Sequence, residues 1–258
     1  MTTITYVTIT YNAEAVLKRT LDSVLRQDYP HLRHLIVDGA STDGTLALVA
    51  DYKASSDSAA NGHEVLLTSE PDKGIYDAMN KGLRSITGDY VCFLNAGDYL
   101  PAADTASRIV EQVEQSGQRP AVLYGDTDIV DGEGRFLHHR RLSPPANLTW
   151  RSFRQGMLVC HQAFYARVDF AVQNPYDTSF RYSADVDWCI RIMRQAEKEQ
   201  VPLLNLHMVV ANYLQEGATT KNHKASLRER YLVMQRHYGV IQTFLLHCWF
   251  VVRAVIWR

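Results

Sequence analysis

Apolar and polar positions along the first hundred residues predict strands and helices in turn. Four short runs rich in apolar and β-branched residues predict strands at Ile4–Ile9, His34–Val37, Glu64–Thr68 and Tyr90–Leu94. Between them, apolar residues three or four apart predict helices that carry Val16–Leu25, Leu46–Tyr52 and Ile75–Ile86. This alternation predicts right-handed crossovers and a parallel sheet with helices on both faces, an α/β fold.

The second half has a different pattern, which predicts antiparallel strands. A helix is expected over Ala102–Gln115, followed by strands at Ala121–Tyr124, Asp128–Val130, Arg135–His139 and Leu158–Tyr165. Gly125-Asp126 reads as a turn, and the segment 131–134 as the tip of a hairpin. Adding such strands to a parallel sheet gives a mixed sheet. A further helix is predicted over Cys189–Ala196.

Composition limits the classes of protein to which the chain could belong. The chain has 258 residues, 46% of them hydrophobic, which suits one large α/β domain. A net charge of −1 gives no indication of nucleic-acid binding. The four cysteines lack metal-type spacing and are expected to be reduced core thiols. We expect neither a signal peptide nor a spanning helix, because no basic region precedes an apolar stretch and no apolar run is long enough.

Polar clusters follow three of the predicted strands. They are Thr10-Tyr11-Asn12, Asp38-Gly39 and Asn95–Asp98. Ligands of open parallel sheets bind beyond the carboxyl ends of the strands, so the clusters are expected to meet at one edge. Each alone could be ordinary turn chemistry, and Asn12 could simply cap the next helix. All three together favour a ligand site.

Several side chains there suit chemistry on a diphosphate. Asp98, after a buried strand, could hold Mg²⁺ beside phosphate. Lys73 offers a compact positive charge, or is a solvated surface lysine. Asp185 could cap a helix, or could take a proton from an incoming hydroxyl. Burial beside Trp188 would raise its pKa toward a useful range.

Two polar residues interrupt the apolar pattern of Leu158–Tyr165. They are His161 and Gln162. Because buried polar groups need partners, these side chains are either satisfied in the core or line a pocket. We favour the pocket.

Taken together, these motifs resemble family 2 glycosyltransferases with the GT-A fold, closely over the first hundred residues and more loosely to about Arg194. The motifs are Thr10-Tyr11-Asn12, Asp38–Thr45, Asp72–Gly82, Gly88-Asp89-Tyr90 and Phe93–Asp98. The resemblance implies an inverting enzyme with a Rossmann-like, mostly parallel mixed sheet flanked by helices and a C-terminal helical extension. It also implies a nucleotide-activated sugar, often a UDP-sugar, with Mg²⁺ or Mn²⁺.

The resemblance assigns roles to individual residues. Asp38 would contact the base, Tyr11 would line its pocket, and Asp185 would be the catalytic base. The residues expected to bind the nucleotide sugar are Thr10, Tyr11, Asn12, Asp38, Lys73, Asp77, Asn95 and Ala96. Asp98 would bind the metal, and the acceptor or its pocket would involve His161, Gln162, Asp187 and Trp188.

Two departures from the family pattern matter. The metal motif commonly reads Asp-x-Asp-Asp, whereas this chain has Asn95-Ala96-Gly97-Asp98. The base motif has Ala184 in place of the usual Glu, which leaves the choice between Asp185 and Asp187 open. The Asn-Ala-Gly-Asp variant resembles a subgroup associated with bacterial polysaccharide assembly, where acceptors are often sugars on a membrane lipid.

The C-terminal segment is consistent with that setting. No carboxylate follows Glu229, while Arg230, Arg236, Arg253 and Arg258 remain in a segment rich in aromatic and aliphatic residues. This pattern is typical of an interfacial helix on anionic lipid, the alternative being a helix packed on the core or on another subunit. We therefore expect a cytoplasmic protein, peripheral at the inner face of the cytoplasmic membrane, with a homodimer as a further possibility.

The sequence thus predicts two parts and one main function. Residues 1–220 form a GT-A catalytic domain, with a nucleotide-sugar half (1–100) and an acceptor half (101–220), and residues 221–258 form a helical tail. The function is a metal-dependent hexosyl-type transfer to a hydroxyl of a glycan or glycolipid. The alternatives are a non-catalytic nucleotide-sugar binder and a nucleotidyltransferase, whose Gly-rich basic loop after the first strand is missing here.

Overall fold

Strands and helices alternate in the first half of the chain. A computed structural model describes residues 1–215 and 223–256. Its first elements are β1 (Ile4–Thr10), α1 (Glu14–Leu25), β2 (Leu32–Asp38), α2 (Thr45–Ala59), β3 (Glu64–Ser69), α3 (Ile75–Ser85) and β4 (Tyr90–Phe93). β1 pairs in parallel with β2 and β4, and β2 pairs in parallel with β3. The predicted parallel sheet is confirmed.

The second half completes a mixed sheet. Its elements are α4 (Thr105–Ser116), β5 (Val122–Val130), β6 (Phe136–His139), β7 (Phe164–Arg167), α5 (Val168–Gln173), α6 (Ala184–Lys198), β8 (Leu203–Leu214), α7 (His223–Tyr238) and α8 (Val240–Ile256). Two short 3₁₀ helices lie at Trp150–Gln155 and His161–Ala163. In the described residues the strand order is β3-β2-β1-β4-β7-β5-β6, with β8 beside β5. β7 runs antiparallel to β4 and β5 and joins the two halves.

Helices cover both faces of the sheet. On one face, Leu17 and Leu21 of α1 and Val49 of α2 pack on Ile36 of β2. On the other face, α3 belongs to the main core, whose buried residues extend through α4 and α6 to α7. With helices on both faces of a mixed sheet, the α/β architecture expected from the sequence is present.

Within residues 1–215 and 223–256, no helix has the length and apolar character needed to cross a bilayer.

β5 is longer than predicted, because Gly125 continues the strand instead of making a turn. A Cβ atom built on Gly125 would lie 2.6 Å from the carbonyl oxygen of Met208 in β8. The glycine therefore lets two strands approach closely, at a place where the register between them shifts. The prediction of a turn was wrong because a glycine can serve either purpose.

Two other segments differ from the prediction. Helix α2 continues to Ala59, beyond the Leu46–Tyr52 stretch expected from the sequence. The segment predicted as a strand over Leu158–Tyr165 contains the 3₁₀ helix His161–Ala163, and β7 begins only at Phe164. Of the four cysteines, which are all free, Cys92, Cys160 and Cys189 are buried, as expected, while Cys248 is exposed.

Candidate functional site

The carboxyl ends of β1, β2 and β4 lie at the same edge of the sheet. β1 lies between the other two strands, and Thr10 at its end pairs with Asp38 at the end of β2. The N–H of Gly39 donates to the Thr10 carbonyl oxygen over 2.9 Å, and the N–H of Leu94 donates to the Val7 carbonyl oxygen over 3.0 Å. The topology thus brings the three polar clusters to one edge.

Asp38 is held by a dense set of donors. Its Oδ1 accepts hydrogen bonds from the hydroxyls of Thr10 (2.9 Å) and Ser41 (2.5 Å). Its Oδ2 accepts from the Ser41 N–H (2.9 Å) and the Ser69 hydroxyl (2.7 Å). Burial alone would raise the pKa of Asp38, but these hydrogen bonds lower it below its ordinary value. The residue is 0% exposed, so in this conformation its carboxylate fixes the following loop instead of presenting an oxygen to a base.

Tyr11 and Asn12 lie on the outer rim of this edge. Tyr11 is 68% exposed, in keeping with a ring available to a ligand. The Asn12 side chain accepts a hydrogen bond from the Thr42 N–H over 2.9 Å, and its own N–H donates to the Ser41 hydroxyl over 2.9 Å. The predicted capping of α1 by Asn12 is wrong, because the cap position is Ala13 and has no side-chain cap bond.

The loop before α3 reaches across to the end of β2. A Cβ atom built on Gly39 would lie 2.4 Å from a carboxylate oxygen of Asp72 and 3.3 Å from the Tyr11 ring. A larger residue here would require the Asp72 carboxylate to move. The N–H of Lys73 donates to the Asp77 carboxylate over 3.0 Å, so Asp77 orders the loop from the first turn of α3. Lys73 itself is exposed on the rim.

Four side chains from separate segments form a hydrogen-bonded chain on the other side of the edge. Asn95 Nδ2 lies 3.1 Å from His161 Nε2, and His161 Nδ1 lies 3.2 Å from Asp185 Oδ2. The Tyr76 hydroxyl donates to Asp185 Oδ1 over 3.0 Å. The two ring nitrogens of His161 thus face different partners, Nδ1 the Asp185 carboxylate and Nε2 the Asn95 amide. His161 thus links Asn95 to Asp185, and its role as an acceptor or pocket residue stays a prediction.

Asp185 is an ionised carboxylate in a nearly closed environment. Its side chain is 16% exposed and lies in the first turn of α6. Burial raises its pKa, but the hydrogen bond and charge of His161, the charge of Arg230 and the hydroxyl of Tyr76 together lower it below the ordinary value. The expected net rise of the Asp185 pKa toward a useful range is therefore wrong, because these interactions outweigh the effect of burial. A carboxylate that stays ionised can accept a proton at neutral pH.

Asp98 has a different environment from the one predicted. The residue is 3% exposed. Its Oδ1 accepts a hydrogen bond from the Leu214 N–H over 2.9 Å, and its Oδ2 accepts from Gln162 Nε2 over 2.8 Å. Gln162, 2% exposed, is therefore satisfied in the core and does not line a pocket. Ala96, half-buried beside Asn95, offers only its backbone and a methyl group.

The residues of this motif do not fit a divalent cation, which needs oxygen ligands that face it from several sides. Both oxygens of Asp98 are bonded to protein donors, and the amide of Asn95 is bonded to His161. Gly97 has no side chain at a position where the family pattern has a carboxylate. Within the described residues, no group of three or more His, Cys, Asp or Glu side chains could hold a metal ion. The structure gives no support to Asp98 as a metal ligand.

Asp187 and Trp188 are buried in the protein interior next to the site. The Asp187 side chain is 0% exposed and bonds to Arg191 (2.7 Å) and His237 (2.8 Å). Trp188 is fully buried and stacks on Tyr176 with ring centroids 4.9 Å apart. Neither side chain lines an acceptor pocket in this conformation. Because Asp187 is enclosed while Asp185 is partly accessible, the geometry favours Asp185 as the base.

Three residues of the site were not singled out from the sequence. Tyr76 lies inside the Asp72–Gly82 motif, so its hydrogen bond to Asp185 had a local signal. Glu229 and Arg230 come from α7, and nothing in their local pattern indicated a role. Glu229 accepts the N–H groups of residues 181, 182 and 183 at 2.9, 2.6 and 3.1 Å, which fixes the start of α7 at the start of α6. The next residue, Arg230, contributes its positive charge to lowering the pKa of Asp185.

Comparison with known proteins gives the family to which this α/β fold belongs. The model of glycosyl transferase family 2 matches residues 5–173. A PGL/p-HBAD biosynthesis glycosyltransferase of Mycobacterium bovis is 32% identical over 209 residues, which cover 81% of this chain and 75% of that protein. The amylovoran biosynthesis glycosyltransferase AmsB of Erwinia amylovora is 29% identical over 77% of this chain and 67% of its own. The chain belongs to glycosyltransferase family 2.

Solved structures show the same fold at low sequence identity. S. aureus TarS 1–349 in complex with UDP-GlcNAc superposes with a TM-score of 0.69 at 17% identity, covering 90% of this chain and 66% of that one. The mannosyltransferase PcManGT from Pyrobaculum calidifontis, in complex with GDP-Man and Mn²⁺, gives a TM-score of 0.62 at 19% identity, covering 95% and 68%. The chain thus spans about two thirds of the TarS chain. These likenesses establish the GT-A fold.

Proposed function

We propose that this chain is an inverting glycosyltransferase that moves a sugar from a nucleotide diphosphate to a hydroxyl of a glycan or lipid-linked glycan. The observation that carries the proposal is Asp185, a partly accessible carboxylate whose pKa is lowered and whose two oxygens are oriented by His161 and Tyr76. His161 links it to Asn95, at the sheet edge where ligands of such folds bind. A base fixed at that place suits removal of a proton from an acceptor.

In the proposed reaction the acceptor oxygen attacks the anomeric carbon on the face opposite the diphosphate. The new C–O bond forms as the bond from carbon to the phosphate oxygen breaks, and that oxygen leaves with the electron pair. Asp185 takes the proton of the acceptor hydroxyl. His161 and Tyr76 hold the carboxylate in position, which keeps the base within reach of the reacting hydroxyl. The attack from the opposite face inverts the anomeric centre.

The donor is proposed to bind along the ends of β1 and β2. Thr10 and Asp38 shape the loop there, while Tyr11 and Lys73 stand exposed on the rim, where a base and a phosphate would meet them. TarS binds UDP-GlcNAc and PcManGT binds GDP-Man, so UDP-sugars and GDP-sugars are the donors to test first. The relatives in PGL/p-HBAD and amylovoran biosynthesis support an acceptor in cell-surface glycan assembly.

A divalent cation, Mg²⁺ or Mn²⁺, is expected from the family resemblance, and PcManGT carries Mn²⁺. The environment of Asp98 does not fit such an ion. We therefore assign the proton transfer and the positioning of substrates to side chains of this chain alone.

Asp185→Asn tests the proposal. The variant keeps the size of the side chain but cannot accept the proton, so transfer should fall by about 10²-fold or more. Release of UDP or GDP from each donor with glycan acceptors measures transfer, and a thermal-shift titration with the same nucleotides measures binding. Asp22→Asn, at an exposed ion pair in α1, is the control and should retain activity.

The outcomes separate the candidate functions. Lost transfer with retained nucleotide binding supports catalysis by Asp185. Binding without transfer by the wild-type protein, with every donor and acceptor tried, favours a non-catalytic nucleotide-sugar binder. Full activity of Asp185→Asn would rule out its role as the base.

The exposed face of α8 is proposed to rest on an anionic lipid surface, close to lipid-linked acceptors. Its large apolar residues are 44–78% exposed, and they are Val240, Ile241, Phe244, Leu245, Trp249 and Val252. The other side of the helix packs inward through Leu246 and Phe250. No carboxylate follows Glu229, so this segment carries only positive formal charge. Trp257 and Arg258, which the sequence places in the same helix, lie outside the described residues.

Flotation with vesicles tests this surface. The full chain should float with vesicles that contain anionic phosphatidylglycerol and less with neutral ones. A chain cut after Tyr238 should stay at the bottom of the gradient. Equal flotation of both forms, or burial of the face in a stable homodimer seen by light scattering, would overturn the lipid assignment.

A further inference from the structure

The charge balance at the proposed site poses a specific problem. A nucleoside diphosphate is strongly anionic, and the described site contains the carboxylates of Asp38, Asp72 and Asp185. A divalent cation would normally offset this repulsion. Here the Asp98 oxygens are bonded to Leu214 and Gln162, which leaves the motif without an open carboxylate. Another positive group is therefore needed near the leaving phosphate.

A carboxylate side chain at position 97, in place of glycine, would not fit after only a small adjustment of the loop. The φ of Gly97 is +98°, in the region that favours glycine. A Cβ atom built there would lie 2.8 Å from the Leu214 side chain. The backbone of the Asn95–Asp98 turn therefore favours glycine at position 97, where the family pattern has a carboxylate.

Arg230 is a positive group held in the right neighbourhood. The carboxylate of Glu229, the preceding residue, binds three successive backbone N–H groups just before α6. The Ser183 hydroxyl also donates to the Ser226 carbonyl oxygen over 3.3 Å. These contacts fix the first turns of α7 against the helix that carries Asp185. The charge of Arg230 acts on that carboxylate and contributes to lowering its pKa.

The guanidinium of Arg230 has an unmet hydrogen bond. Its Nε is buried and has no hydrogen-bond partner within the described part of the chain. A buried N–H without a partner is costly, and such a group in a native structure calls for an explanation. Guanidinium groups bind phosphate oxygens through several N–H donors at once, with a charge that persists at all physiological pH values.

We propose that Arg230 binds the diphosphate of the donor and supplies the positive charge that a divalent cation would otherwise supply, so that nucleotide binding by this chain does not depend on metal. The inference rests on the proposed function, since it concerns the same donor. When the bond from the sugar to the phosphate oxygen breaks, the charge that develops on that oxygen is stabilised by the guanidinium.

The test compares a nucleoside diphosphate with its monophosphate. Calorimetric titrations use UDP and UMP, or GDP and GMP if the wild-type chain prefers guanine, each with EDTA and with Mn²⁺. Wild-type affinity for the diphosphate should be the same in both buffers. Arg230→Gln should weaken diphosphate binding by about 10- to 100-fold, the equivalent of one charge-assisted hydrogen bond, and change monophosphate binding little.

Two further variants serve as controls. Arg228→Gln removes an exposed arginine two residues earlier on α7 and should leave both affinities unchanged. Arg230→Lys keeps the charge without the planar donors, so it should fall between the wild type and Arg230→Gln. If thermal melts show that Arg230→Gln does not fold, Arg230→Lys still measures what the planar donors contribute to diphosphate binding.

Each other outcome of these titrations would contradict one part of the proposal. Loss of diphosphate binding in EDTA with recovery in Mn²⁺ would overturn metal independence. Equal weakening of diphosphate and monophosphate by Arg230→Gln, or no weakening, would remove Arg230 from the phosphate site. A wild-type chain that binds none of these nucleotides would refute the proposed function itself, and the inference with it.

Discussion

Glu229→Ala is the perturbation that most directly tests how α7 supports the site. The change removes the acceptor of three backbone N–H groups, at residues 181, 182 and 183. Hydrogen bonds to a charged group contribute about 1.5–3 kcal/mol each. The N–H of Arg181 is exposed, so water can replace that bond, and the two part-buried bonds carry most of the loss. We expect a loss of roughly 3 kcal/mol in the free energy of unfolding.

Thermal and urea melts measure the effect. A loss of about 3 kcal/mol corresponds to a fall in Tm of about 6–12 °C for a domain of this size. Transfer activity should fall as well at temperatures where the variant is folded, because Asp185 lies just after the freed segment. Glu111→Ala, on the exposed face of α4, is the matched control and should melt within about 1 °C of the wild type. A Glu229→Ala melt as close to wild type as that would refute the reasoning.

Three other changes test separate features. Burial raises the pKa of Asp98 to about 6, against about 3.9 when unfolded, so this group lowers stability as pH rises from about 4 to 6 by roughly 3 kcal/mol. Asp98→Asn should flatten that part of the stability curve in urea melts, and an unchanged slope would contradict it. Gly97→Ala should cost about 1–3 kcal/mol because of its φ of +98° and the nearby Leu214, while Gly132→Ala, with open space around it, should cost little. Tyr76→Phe removes a donor to Asp185, so the acid limb of the pH–rate profile should move to higher pH; an unmoved limb would exclude this role.

The first half of the fold could be predicted from sequence because its signals are local. Each strand is a compact apolar run and each helix has its own stripe, so the order of elements fixes the parallel sheet. The second half was harder. Gly125 looks like a turn residue, and only the approach of Met208 from a distant strand shows why a glycine is needed in mid-strand.

The site was predictable to the extent that its residues belong to motifs. Asn95, His161 and Asp185 stood out by type and position, and the structure brings them together. The state of Asp98 could not be predicted, because its partners Gln162 and Leu214 come from remote segments. Such long-range contacts decide whether a carboxylate faces a ligand or the core.

The anchoring of α7 also determines where the chain can be shortened with the least damage to its core. Tyr238, at the end of this helix, donates a hydrogen bond to the Trp150 carbonyl oxygen over 2.6 Å and stacks on the Trp150 ring. A stop codon placed ahead of α7 would therefore expose core surface as well as remove the apolar helix beyond it. A stop codon just after Tyr238 removes that helix alone, which makes this position the natural end point for crystallisation trials.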